Sequence, residues 1–405
     1  MQKTRRYGWS NFMKHFLFLL LLLITFSPLK SQTNDSLQVS LLTVSPYSKA
    51  VWTIFGHTAL RVSDPTRNID VVLNWGTFDP GIPNFILRFV EGKTDYFLSA
   101  PPFQYFIPEY VYDKVTMIEQ KLNIPDSEKD SLFKSLQINL LPENANYRYS
   151  FVFDNCTTRP RDIIEKFCGG TLIYPEQTQP VTFRQLFHRY TRPYPWLEFG
   201  IDCVIGSGAD SLISYRNELF LPENLMNALN HSVVKRPDGT EQPVVLTSAY
   251  IIQYPDNQPE VVKLWDHPFG AGIAVFIIYL LIAVAGYIKK YRFCIPFALL
   301  FFIAGVGGCI VAMLNFFSFH PCVQLNWNIL WLHPLHFIAC AGFFFRKSYR
   351  WIRWYHAVNF VLLSSFLLGW HWIPQELNRA AIPFVLCLWI VSGLQIVVLK
   401  QKKYE

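Results

Sequence analysis

The sequence lacks the signatures that would name an enzyme at once. It has no HExxH helix, no Walker loop, no Gly-x-Ser-x-Gly elbow and no Cys/His cluster at zinc spacing. Those absences argue against the zinc peptidases, the P-loop nucleotidases, the serine esterases and a structural zinc site. No metal and no cofactor is expected. GSGADS (206–211) has its glycines at the wrong spacing for an elbow and reads as a turn. There is no internal repeat and no low-complexity tract. Charge is scarce, at 16% of 405 residues, against 51% hydrophobic and 17% aromatic residues.

The net charge of +7 does not make a nucleic-acid binder. From Asp266 to the end, 11 Lys/Arg face only Asp266, Glu376 and Glu405, and Lys3, Arg5, Arg6 and Lys14 sit at the N-terminal tip. What remains between residues 30 and 265 is 21 Lys/Arg against 26 Asp/Glu, a mildly acidic balance. No basic patch for phosphates, and so no nucleic-acid partner, is expected.

What is present divides the chain into three. Residues 1–31 have a basic start and an apolar core from Phe16 to Phe26 followed by small residues, the pattern of a secretory signal peptide or an uncleaved anchor. Residues 32–266 mix strands and polar helices, and are long enough to hold a core of their own. SLLTV, HTALRV, VVLNWGTF and RYSFVFDN read as strands. DSEKDSLFKSLQINLL and PRDIIEKFCGG read as helices. Residues 267–405 hold five apolar segments near 268–288, 294–317, 328–345, 354–373 and 380–399, each about 20 residues, the length that crosses a bilayer. The loops KKYR, RKSYRWIR and KQKK are basic, whereas SFHPCVQLNWN and WHWIPQELNR are nearly uncharged. By the positive-inside rule the basic loops are cytoplasmic, which puts residue 266 and the domain before it outside.

Five of the eight cysteines lie in or beside the apolar segments. The exported part holds Cys156, Cys168 and Cys203, an odd number, so at least one is unpaired. A Cys168–Cys203 bridge would leave Cys156 free, and a disulfide of Cys156 itself is the alternative. Cys156 stands at the end of FVFDNC, just before a helix, with Asn155 as a capping residue. A helix start lowers a thiol's pKa. His57, after Gly56 at the head of a strand, is a candidate base. Asn74 on the following strand is a candidate orienting group for the imidazole, with Asp64, Asp70 and Asp154 as competitors.

The order His on one strand, a polar residue on the next, then Cys entering a helix resembles circularly permuted papain-like and NlpC/P60-like thiol enzymes. FGHTALRV, NWGTF, DNCTTRPRD and ELFLPENL, with NWNILWLHPLH in the C-terminal part, more closely resemble Lnb-type lipoprotein N-acyltransferases. The resemblance implies an α+β permuted papain-like (NlpC/P60-like) extracytoplasmic domain followed by an all-α bundle of five transmembrane helices, in the bacterial inner (cytoplasmic) membrane. It implies that an acyl chain passes from a phospholipid donor, through a Cys156 thioester, to the α-amine of a diacylated lipoprotein. His57 is then the base, Asn74 the orienting residue and the Cys156 N–H an oxyanion donor. Arg159 and Asp162 are candidates for a head group, or else a local ion pair at the helix start. Asn326, His333 and His336 lie on the outward side of the apolar segments, as substrate contacts or as interfacial anchors. A membrane-tethered cysteine peptidase or amidase acting on cell-wall peptides, and a non-catalytic envelope scaffold, are the competing readings.

Overall fold

A computed structural model describes residues 36–255, 266–289, 291, 293–344 and 349–398. The expected signal peptide, and most of the basic loops, lie outside these residues. From Ser36 onward the chain forms one compact unit, so the soluble and helical parts are packed together rather than tethered.

The soluble part is built on a seven-stranded antiparallel sheet. Its strands are β1 (Gln38–Val44), β2 (His57–Asp64), β3 (Ile69–Thr77), β4 (Asp95–Ser99), β5 (Met117–Leu122), β6 (Asn146–Arg148) and β7 (Val245–Ile252). Their spatial order is β7–β5–β1–β2–β3–β4–β6. Alternation sorts the side chains to two faces. Leu60, Val62, Leu73 and Trp75 point into the main core with Ile164 and Phe167. Ala59 and Val72 point to the other face, against Phe106 and Tyr110. The helices of this part longer than one turn are α1 (Phe85–Val90), α2 (Phe103–Tyr112), α3 (Asp126–Asn139), α4 (Thr158–Phe167), α5 (Phe183–Thr191), α6 (Pro195–Val204) and α7 (Pro222–Asn230). α3 starts at Asp126, as its acidic first turn leads one to expect.

The expected strand RYSFVFDN forms only in part. β6 ends at Arg148, and Ser150 and Asp154 close a tight turn with a reciprocal pair of 3.0 Å backbone hydrogen bonds. Val152 is drawn into a separate cluster with Phe183, Leu186 and Phe220, which competes with continued pairing in the sheet. The helical part comprises α8 (Pro268–Lys289), α9 (Cys294–Phe317), α10 (His336–Gly342), α11 (Tyr349–Leu368) and α12 (Ala381–Val398). Among the described residues, α8, α9 and α12 are long and apolar enough to cross a membrane. The expected span at 328–345 is broken into a 3₁₀ turn at Trp327–Leu330 and the short α10, with Pro334 between them. α11 carries Arg350, Arg353, His356 and Asn359, which dilute its apolar character.

The two parts meet at the end of α6. A helix C-terminus leaves carbonyls without partners, and here amide side chains of the helical part supply them. Asn328 Nδ2 donates to the Asp202 carbonyl at 2.9 Å and Asn326 Nδ2 to that of Cys203 at 2.9 Å. Gln375 Nε2 donates to the carbonyl of Ile205 at 3.0 Å. Beneath them lies an ion network. Arg184 of α5, fully buried, donates to Asp202 at 2.8 Å and to Asp210 at 2.6 Å. His188 and Asn378 also bind the Asp202 carboxylate, both at 2.9 Å. Burial would raise the Asp202 pKa, but His188, Arg184 and Asn378 outweigh it and hold the carboxyl below the usual range.

Replacing Arg184 leaves Asp202 buried without its cation. Arg184→Ala is expected to destabilise the protein by about 3–5 kcal/mol, read by denaturant unfolding of the full chain in detergent. A change below about 1 kcal/mol would mean that water or another donor replaces the guanidinium.

Candidate active site

His57 opens β2, at the end of the sheet. Gly56 before it has φ +77°, and its bare Cα lets the chain turn against the carbonyl of Val44. His57 shares a face of the sheet with Ala59 and Val72, and so does Asn74. His57 Nε2 and Asn74 Oδ1 are 2.6 Å apart. Asn74 Nδ2 donates to Thr77 Oγ1 at 3.4 Å, which turns the amide oxygen toward the ring. The imidazole therefore carries its proton on Nε2 and presents Nδ1 as the free basic nitrogen. The competitors of Asn74 are engaged elsewhere. Asp64 caps a 3₁₀ turn, Asp70 pairs with Arg61, and Asp154 pairs with Arg159.

Between Asn74 and Thr77 the pairing of β3 with β4 slips by one residue. This bulge contains Gly76, at φ +98°, and such irregularities re-aim side chains beside functional sites. A Cβ on Gly76 would stand 3.4 Å from Cys156 Cβ and 3.7 Å from His57 Cε1. Gly76 is thus the floor on which the two side chains meet.

Cys156 precedes α4. Asn155 Oδ1 accepts from the N–H groups of Thr157 and Thr158, at 2.8 and 2.9 Å, as the expected cap. The Asn155 Nδ2 donates to the carbonyls of Phe151 and Phe220, locking the loop from two sides. Thr58 Oγ1 and Thr157 Oγ1 are 3.1 Å apart, which ties the loop to β2. Burial opposes charge on both His57 and Cys156, yet each stabilises the other's charged form. The His57 charge and hydrogen bond, then the Thr58 N–H and the Thr157 hydroxyl, overcome burial and lower the thiol's pKa. The Cys156 thiolate and the Asn74 bond overcome burial and raise the imidazole's. Each group thus favours the charged form of the other.

All eight cysteines are free, so neither the Cys168–Cys203 bridge nor a disulfide of Cys156 exists. Cys168 is buried in the main core, and Cys203 packs against the helical part. Arg159 and Asp162 do not pair with each other. Arg159 holds Asp154 at 2.6 Å and lies over the Tyr147 ring, whereas Asp162 binds Arg161 and Arg216. Asn326 caps α6, as described above. His336 is buried, bonded to Trp331 O at 2.9 Å and Tyr355 Oη at 2.8 Å, with His333 stacked on it. None of these bonds reaches His57, Asn74 or Cys156. His188, Glu198 and Asp202 bring possible ligand atoms within 4.8 Å of one another. Asp202 is already bound by Arg184, which makes this an ion-pair hub rather than a cation site. Sequence reasoning missed Gly76, Thr58 and the hub. The first two lie inside the blocks that carry the resemblance, but nothing in their residue types shows the bulge or the N–H contact.

The lowered thiol pKa gives a direct test. Alkylation of Cys156 by iodoacetamide is expected to stay fast well below the ordinary thiol range, because the thiolate persists there. In His57→Ala the midpoint moves up, since burial then acts unopposed by the imidazolium. Coincident midpoints in the two proteins would show that the residues are not coupled.

Comparison with protein families supports the same division of the chain. Residues 26–189 match the Lnb N-terminal periplasmic domain, and residues 260–403 match the Lnb transmembrane domain. No curated protein and no solved structure is similar enough to the chain to be matched. The chain belongs to the Lnb family of lipoprotein N-acyltransferases, with a periplasmic α/β domain and a helical membrane region in the family's order.

Proposed function

We propose that the protein moves an acyl chain from a phospholipid to the α-amine of a lipoprotein's lipidated N-terminal cysteine, through a thioester on Cys156. The observation that carries this reading is the single imidazole held between Asn74 Oδ1 and the Cys156 thiol. The Cys156 thiolate attacks the ester carbonyl of the donor. The Cys156 N–H, beside the start of α4, is the donor assigned to the oxyanion. As the C–O bond breaks, imidazolium gives its proton to the leaving lysophospholipid hydroxyl, and an acyl thioester remains. The acceptor amine then attacks the thioester. His57 takes the ammonium proton, the C–S bond breaks, and the amide product leaves behind the thiolate. Asn74 positions the ring through both steps, by the permuted papain-like logic of nucleophile, base and orienter.

The enzyme would sit in the bacterial inner membrane with its soluble domain in the periplasm. Both substrates are anchored in lipid, which accounts for a site packed onto a membrane region. A cell-wall peptidase could use the same pair with water as acceptor, but would have no use for that packing. Cys156→Ala is expected to abolish the N-linked acyl chain in a strain whose only lipoprotein N-acyltransferase is this protein. Mass spectrometry of the N-terminal lipopeptides would then show diacylated forms alone. Triacylated lipopeptides at wild-type levels would refute the thioester mechanism.

A further inference from the structure

α1, FILRFV, is a helix with no buried residue. Ile86 is 78% exposed, Leu87 47% and Phe89 39%. Six residues do not hold a helix by propensity alone, and such an apolar face in water would be an association hazard. What holds it is the outer end of the membrane helix α9. Ser318 Oγ donates to the carbonyl of Val90 at 2.7 Å, and the Phe319 N–H to that of Glu91 at 2.9 Å. Phe319, 71% exposed, continues the apolar face of α1 onto α9, one of the helices suited to a bilayer.

The same helix connects to the thiol. The Phe89 and Phe85 rings lie 6.4 Å apart, Phe85 stacks on Phe78 at 5.3 Å, and Phe78 follows Gly76 by two residues. Phe78 also meets Tyr96 at 5.0 Å. Tyr96 stacks on Tyr149 at 4.1 Å, and both hydroxyls are pushed up by burial and then by the Cys156 charge. A run of rings thus leads from the exposed face of α1 to Phe78, two residues from the Gly76 bulge that borders Cys156.

We propose that α1 lies in the membrane surface, with Ile86 and Leu87 among the lipid chains, and that Phe89, Phe85 and Phe78 seat the acyl chain of the phospholipid donor on its way to Cys156. This rests on the thioester reading for its chemistry, but its claim is about where the lipid binds. The occupant is the donor's chain rather than the acceptor's, because the chain that must reach and bond to the Cys156 sulfur is the donor's, whereas the acceptor brings its amine.

The test uses the full-length protein in vesicles of phosphatidylethanolamine and phosphatidylglycerol, without acceptor. Ile86→Asn with Leu87→Asn alters exposed positions only, and Phe85→Ala removes one rung. Both variants are expected to slow acylation of Cys156 by about 10-fold or more, with the rate of Cys156 alkylation by iodoacetamide unchanged. Acylation at the wild-type rate would overturn the proposal, and so would an equal fall in alkylation, which would mark a distorted site. A defect confined to discharge of the thioester onto a diacylated lipopeptide would assign the surface to the acceptor, and would also overturn it. A photo-crosslinking residue at Ile86 separates this claim from the mechanism. Capture of phospholipid there sustains the surface even if wild-type Cys156 takes no acyl chain, and failure to capture it overturns the proposal.

Discussion

The molecule depends on one buried carboxylate. Asp202 receives Arg184, His188 and Asn378, and the helix that carries it ends in carbonyls bound by Asn326, Asn328 and Gln375. A charge at 2% exposure is tolerable only when it is fully paired. The residues that pair it come from α5 on one side and from the outward loops of the membrane region on the other. Folding of the soluble domain and its seating on the helices are therefore one event. A flexible tether would have left the thiol free to tumble over the membrane. The hub fixes its orientation relative to the helices, as the proposed transfer between two lipid-anchored molecules requires.

The same principle operates at the thiol on a smaller scale. Burial alone would keep Cys156 protonated and His57 neutral. Placed together, each removes the other's penalty, and the Thr58 N–H adds a neutral donor to the sulfur. Position, rather than residue type, lowers the thiol's pKa. Asn155 uses its whole side chain to fix the loop, and Gly76, at φ +98°, lets the bulged backbone turn beside both side chains. Cys168 shows the contrast, since burial there outweighs the Gly170 contact and the Arg236 charge and pushes its thiol up.

The parts governed by short-range rules were legible in the sequence. The strands carrying His57 and Asn74, the start of α3 at Asp126 and the Asn155 cap all follow from alternation and capping chemistry. Spacing does not rank Asn74 against the three aspartates, and the structure separates them by placing Asn74 on His57 and giving each aspartate another partner. What was not legible depends on distant segments. RYSFVFDN has strand composition, but Val152 finds a better partner in the aromatic cluster of α5. For Asn326, His333 and His336 the sequence leaves substrate contact and interfacial anchoring both open, because it shows polar residues among apolar ones but not their partners. Asn326 binds a helix end 123 residues away in the chain, and His336 binds a tyrosine and a backbone carbonyl. The segment at 328–345 satisfied a composition rule for a span while Pro334 divided it.

The central claim is that Cys156 carries the acyl group between two lipid-anchored molecules. Its most direct measurement is intact-protein mass spectrometry of the purified full chain after incubation with a phospholipid of one defined acyl chain. The account predicts a hydroxylamine-sensitive adduct of that chain's mass on Cys156, and its discharge when a diacylated lipopeptide with a free α-amine is added. Transfer to the lipopeptide with no adduct on Cys156 at any time, or in a Cys156→Ala protein, would contradict it.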